Sequence, residues 1–188
     1  MEKVVVYGGH FNPIHSAHEM IISEVNDRIN PDYFYIVPSY ISPLKKASDP
    51  LNTKHRIKMV ELVVENLGFG TVYLNEIERK GQSYTYDTMV DIKQKHPNAK
   101  LFFVIGTDQF KQLDQWYKIE ALKALVTFIV VNRGETHTFK CNNMLAIEIP
   151  EMAISSTEIR KRRQNNQSIH MWVPLNVEQY ITEEDLYG

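Results

Sequence analysis

A chain of 188 residues, 43% hydrophobic and 23% charged, is long enough for a real core and too apolar to be dominated by disorder. Its 21 basic and 23 acidic side chains, a net charge of -2, argue against a general nucleic-acid binder, which carries a large basic excess. One cysteine excludes an internal disulfide framework and a Cys-rich metal site, and no apolar stretch approaches the ~20 residues that span a bilayer. The first residues run straight into a strand-like segment with no signal peptide ahead of it, so the expected setting is the cytoplasm, away from membranes. Short β-branched and aromatic runs follow at Val4–Tyr7, Tyr33–Val37, Val72–Leu74, Leu101–Ile105 and Phe128–Val131. Nearly continuous apolar character is that of strands buried on both faces of a parallel sheet. Between them, Met20, Ile21, Val25 and Ile29 have helical spacing, as do Ile57, Val60, Leu62, Val63, Val64 and Leu67 after Asp49-Pro50-Leu51-Asn52. A third helix is expected from about Thr85 to Lys95, ending before His96-Pro97 because the residue ahead of a proline disfavours α. Two more are expected at Ser155–Arg163 and about Val177–Tyr187. Alternating strands and helices predict an open α/β sheet in one domain, with residues 1–150 as the core and 151–188 as a small C-terminal helical part.

The segment Gly8-Gly9-His10-Phe11-Asn12-Pro13-Ile14-His15-Ser16-Ala17-His18 follows the first buried strand directly. In an open parallel sheet, ligands bind beyond the strands' carboxyl ends. Glycines let backbone approach a ligand closely, Asn12-Pro13 makes a turn into the next helix, and His15 and His18 share one side of its first turn. With the unpaired amides of the helix start, these groups suit phosphates. Taken singly, Gly-Gly is also an ordinary tight turn, and two histidines three apart are also a thin zinc pair.

The second feature, Ile154-Ser155-Ser156-Thr157-Glu158-Ile159-Arg160-Lys161-Arg162-Arg163, opens with a capping box of Ser155 and Glu158. Arg160 lies one turn beyond Ser156, so a hydroxyl, helix-start amides and a guanidinium can gather on one anion. By itself the segment reads first as a capped surface helix with a solvated basic face.

The first run resembles the G-G-[ST]-F-[DN]-P-x-H-x-x-H motif of the nucleotidylyltransferase superfamily, and Ile154–Arg160 resembles its [IV]-S-S-T-x-[IV]-R motif. With both in the right order, the chain is identified as a member of that superfamily. His10 stands where a small hydroxyl residue is usual, and Ala17 where glycine is usual. Ser83-Tyr84-Thr85-Tyr86-Asp87-Thr88, Ile105-Gly106-Thr107-Asp108 and Leu113-Asp114-Gln115-Trp116-Tyr117 resemble blocks of the bacterial nicotinate-nucleotide adenylyltransferase family. Pro38-Ser39, Pro43-Leu44-Lys45, His55-Arg56 and Val131-Asn132-Arg133 fit the same pattern, except that a histidine commonly precedes the lysine where Leu44 stands.

The resemblance implies a Rossmann-like open parallel sheet with helices on both faces. It implies adenylyl transfer from ATP to nicotinate mononucleotide (NaMN), without a covalent intermediate, with Mg²⁺ carried on the ATP and no metal ligands of its own. The implied catalytic residues are His15, His18, Lys45 and Arg160. ATP contacts are implied at Gly8, Gly9, Phe11, His15, His18, Gly106, Asp108, Arg133, Ser155, Ser156 and Arg160. NaMN contacts are implied at Gly9, His10, Phe11, Lys45, Tyr84, Thr85, Trp116 and Tyr117. Several of these residue types have plainer uses: Trp116 as a half-buried anchor, Thr85 and Asp108 as helix caps, Lys45 as a solvated loop lysine. An acceptor other than NaMN, NMN above all, and a non-catalytic nucleotide sensor are the competing functions, and the oligomeric state is left open.

Overall fold

The computed structural model describes residues 1–41, 53–133 and 143–188. A six-stranded sheet has the order β3-β2-β1-β4-β5-β6, built from β1 (Lys3–Gly9), β2 (Tyr33–Pro38), β3 (Thr71–Val72), β4 (Lys100–Gly106), β5 (Thr127–Arg133) and β6 (Met144–Ile149). Every neighbouring pair is parallel. The helices are α1 (Ser16–Ile29), α2 (Thr53–Leu67), α3 (Asn75–Arg79), α4 (Thr85–Lys95), α5 (Thr107–Lys111), α6 (Ile119–Leu125), α7 (Ser156–Gln164) and α8 (Leu175–Glu183), with a 3₁₀ turn at Leu113–Gln115.

Strand alternation divides the apolar runs between two cores. Val5, Tyr7, Phe102, Val104, Ile129 and Val131 join residues of α1, α2, α7 and α8 in one cluster. Val4, Val6, Leu101, Phe103, Ile105, Phe128 and Val130 join Met89 and Ile92 of α4 and Leu122 of α6 in the other. Fully burying each such side chain contributes about 1.5–3 kcal/mol, which is why strands with no polar face sit in the middle of the sheet. The C-terminal helices have no core apart from the sheet: Ile159, Val177, Ile181 and Leu186 share a cluster with β1.

The chain runs outward from β1 to β2 and β3, then returns to place β4 on the other side of β1. That reversal opens a crevice beyond the carboxyl ends of β1 and β4, the place where open α/β sheets bind ligands.

The elements differ from expectation in instructive places. The third strand covers Thr71–Val72, not Val72–Leu74, because Leu74 already flanks α3. β6 lies outside the expected strands: only Ile147 and Ile149 are buried and Leu145 is 41% exposed, since an edge strand need not be apolar on both faces. The final helix ends at Glu183, and Asp185 and Tyr187 take left-handed backbone angles (φ 49° and 64°) that fold the tail back.

Candidate active site

The loop leaving β1 is shaped by two local constraints. A β-carbon on Gly9 would lie 2.7 Å from the Phe11 ring, so only glycine fits there. Phe11 itself is buried at φ 50°, its ring edge-on to Tyr7 and to His18 at centroid distances of 5.7 and 5.2 Å. The Asn12–Pro13 peptide bond is cis.

His15 is the N-cap of α1 and is buried, one position earlier than a first-turn residue. Its backbone N–H donates to His18 Nδ1 at 3.2 Å, and the two rings stack with centroids 3.6 Å apart. Because His18 Nδ1 accepts a hydrogen bond, the neutral ring carries its proton on Nε2, facing away from that amide. His10 Nδ1 lies 3.3 Å from Ser39 Oγ, joining the loop to the end of β2.

The second motif arrives from α7. Ser155 is the N-cap, its hydroxyl accepting from the Glu158 amide at 3.2 Å. Ser156 Oγ donates to the Pro13 carbonyl at 2.8 Å, and Arg160 Nη1 donates to the Asn12 carbonyl at 2.7 Å. Residues more than 140 positions apart thus meet at one turn, as the two separated motifs require.

On the other side of the crevice, Trp116 is half-buried and edge-on to Phe103 at 6.0 Å, the ring that also lies beside Gly8. Its indole nitrogen is buried with no hydrogen-bond partner among the described residues. Tyr117 is 44% exposed and packs its ring on Tyr84 at 4.5 Å, which brings the Trp116–Tyr117 segment against the Ser83–Thr88 block. Thr85 is the first residue of α4, with Tyr84 as N-cap, so it does not cap that helix. Asp108 is likewise not a cap: Gly106 holds that position, and Asp108 is exposed in the first turn of α5. Arg133 closes β5, its backbone in register with Ile149. Lys45 lies outside the described residues.

Beneath the Ser83–Thr88 block is a buried carboxyl, Glu76. Thr88 Oγ1 donates to it at 2.6 Å, and Ser83 hydrogen-bonds it as well. Burial raises its pKa above the ordinary 4.5, against the opposing pull of Thr88, Ser83 and Arg79. Ser83 Oγ also accepts from the Tyr40 amide at 2.9 Å, so this block is tied to the chain leaving β2.

Three residues owe their part in the site to tertiary contacts that no motif spells out. Arg56, 1% exposed, donates to the carbonyls of His10 at 2.5 Å and Ser39 at 2.8 Å. The signal for it was a charge inside the apolar stripe Arg56, Met59, Val60 and Val63. Asn12, 2% exposed, is held through both its backbone and its side chain, and Tyr187 donates its hydroxyl to Asn12 Oδ1 at 2.5 Å. A tyrosine 175 positions away gives no local signal of such a contact. Among the described residues no group of three His, Cys, Asp or Glu side chains is placed to hold a metal ion, and no helix is long and apolar enough to cross a membrane.

The sequence model of the cytidylyltransferase-like family matches residues 6–162. The chain is 54% identical to a probable nicotinate-nucleotide adenylyltransferase of Staphylococcus saprophyticus, over 99% of this chain and 98% of that one. It is 50% identical to a protein of the same description from Staphylococcus haemolyticus, over 99% and 97%. Its fold is similar to that of the Plasmodium falciparum nicotinic acid mononucleotide adenylyltransferase complexed with NaAD, with a TM-score of 0.81 and 25% identity, over 100% of this chain and 98% of that one.

Proposed function

Because the chain belongs to the cytidylyltransferase-like family, in its nicotinate-nucleotide adenylyltransferase branch, we propose how its residues carry out adenylyl transfer. The enzyme is a nucleotidyltransferase: it moves the adenylyl group of ATP to NaMN, giving deamido-NAD and pyrophosphate in NAD biosynthesis. A phosphate oxygen of NaMN attacks the α-phosphorus in line. The new P–O bond forms as the bond to the α,β-bridging oxygen breaks, and that electron pair leaves on pyrophosphate. The attacking phosphate is already anionic, so alignment and absorption of charge matter more than a strong base.

The observation that carries this reading is the meeting of the α1 and α7 starts at Asn12–Pro13, which gathers amides, two imidazoles, a hydroxyl and a guanidinium at one end of the sheet. His18, with Nδ1 engaged, has Nε2–H to give to an α- or β-phosphate oxygen. His15 supports it by stacking and supplies the cap position of α1. Ser155, Ser156 and Arg160 receive the departing pyrophosphate, and Lys45 steadies the transferred group. Gly8, Gly9 and Phe11 form the floor under both phosphates, with His10 at its edge. Gly106 and Asp108 are assigned to the ribose, and Arg133 is assigned to ATP. Trp116 offers its ring to the pyridine, and Tyr84, Thr85 and Tyr117 surround the carboxylate. Mg²⁺ enters as part of the substrate, held by phosphate oxygens and water, in keeping with hard-cation chemistry. We read the whole chain as one nucleotidylyltransferase domain, working in the cytoplasm, where its one cysteine stays reduced.

His18→Ala tests the assignment. Losing one charged-site donor is expected to lower kcat in a pyrophosphate-release assay about 10²–10³-fold, without loss of the fold. Near-wild-type turnover would refute it.

A further inference from the structure

Residues 12–16, the turn that carries the site loop into α1, are clasped by a set of bonds from the far end of the chain. Arg160 donates to the Asn12 carbonyl and Ser156 to that of Pro13. The Ser16 amide donates to the Trp172 carbonyl at 3.0 Å, and Ser16 Oγ to that of Met171 at 3.0 Å. The remaining member is Tyr187, whose hydroxyl reaches the Asn12 side chain.

The tail is built to deliver that hydroxyl. Leu186 is buried in the core cluster shared with β1, and its amide donates to the Ile181 carbonyl at 2.9 Å. Arg163 donates through Nε to the Leu186 carbonyl at 3.4 Å and lies 3.7 Å from the Asp185 carboxylate. Asp185 and Tyr187 both hold left-handed backbone angles that side chains with a β-carbon disfavour, so packing must maintain them. A frayed tail would have neither the buried leucine nor those angles.

From this we infer that Tyr187 is a positioning residue for catalysis: its hydroxyl fixes the Asn12 side chain and, through Asn12-Pro13, the placement of His15 and His18 at the start of α1. This rests on the site reading given above. The mechanism depends on geometry, because small displacements of aligned groups cost far more rate than binding. Asn12 is 2% exposed, so its amide cannot turn to bulk water if the hydroxyl is removed.

Tyr187→Phe removes one oxygen and leaves the ring. Steady-state kinetics with ATP and NaMN are expected to show kcat lowered about three- to tenfold, the range of one neutral hydrogen bond, with both KM values nearly unchanged. Tyr180→Phe is the control: it removes a hydroxyl from the same C-terminal segment that meets His55 Nδ1 of α2 at 2.8 Å and not Asn12, and kcat should stay near wild type. In an Asn12→Ala background, Tyr187→Phe should lower kcat no further, since the two act as one contact. An unchanged kcat in Tyr187→Phe, an equal loss in Tyr180→Phe, or full additivity with Asn12→Ala would each overturn the inference. If His18→Ala still lowered kcat about 10²–10³-fold in that case, the site reading would stand and the role of Tyr187 alone would fall. If His18→Ala turned over normally, both would fall.

Discussion

Arg56 heads the fully buried side chains in size among the described residues, and replacing it tests how the site loop is held. Its guanidinium joins the carbonyls of His10 and Ser39, the residues just beyond the carboxyl ends of the neighbouring strands β1 and β2. Arg56→Met keeps the length and apolar stem and removes the donors. Two hydrogen bonds from a charged donor are worth about 1.5–3 kcal/mol each, and a single substitution exceeding about 5 kcal/mol is exceptional. The expected loss is therefore about 3–5 kcal/mol of unfolding free energy, and for a chain of this size a fall in Tm of roughly 6–20 °C. Arg56→Lys retains the charge but not the planar fork, and should lose about half as much. Urea melts followed by circular dichroism, with thermal melts in parallel, measure both. A loss below about 1 kcal/mol for Arg56→Met, the level of an ordinary surface change, would refute the claim that this guanidinium secures the loop.

Glu76 and Trp116 supply further tests. Burial raises the folded-state pKa of Glu76 above 4.5, so the native state binds more protons than the unfolded chain in the window just above that value, and stability falls as pH rises through it. Glu76→Gln removes that dependence: in urea melts across this window the variant should gain on the wild type as pH increases, and parallel curves would refute the shift. Trp116→Ala should raise the KM for NaMN by about two- to tenfold with little change in the KM for ATP, the scale of one aromatic contact. Equal effects on both substrates would remove Trp116 from the pyridine side.

The candidate site's framework was legible because it is local. Gly8 to His18 encodes a strand end, a tight loop and a helix start in consecutive residues, and Ile154 to Arg160 encodes a cap and the first turn of a helix. The strands of the sheet's centre were legible for the same reason: burial on both faces leaves a run such as Val4–Tyr7 with no polar interruption. What escaped was set by tertiary context. β6 is only partly covered, with Ile147 and Ile149 buried, and α3, α5 and α6 span at most two turns, too short for a helical period to emerge. Thr85 stands one residue past a cap position and Asp108 two residues past one, each held by a different residue. Arg56 shows in the sequence as half of the His55-Arg56 pair and as a violation of its helix's apolar stripe, without its partners, and Tyr187 shows in no local pattern, since its meaning depends on a turn at the opposite end of the chain.

The clasp around Asn12 and Pro13 sets a schedule for the birth of the enzyme. Ribosomes add about 5–20 residues per second, and Tyr187 is made 175 residues after the asparagine it touches. The nascent chain therefore carries its glycine loop and both histidines for about 9–35 s before the last of their supports emerges. β1, central in the finished sheet, waits as well: β4, its second neighbour, is synthesised nearly a hundred residues after it. The amino-terminal half can bury β1 against β2 early, but the Asn12–Pro13 turn gains its bonds from Ser156, Arg160 and Tyr187 only when those residues arrive. The turn at Asn12–Pro13 is thus completed from the carboxyl-terminal side, and a chain stalled short of α7 lacks Arg160, Ser156 and Tyr187 together.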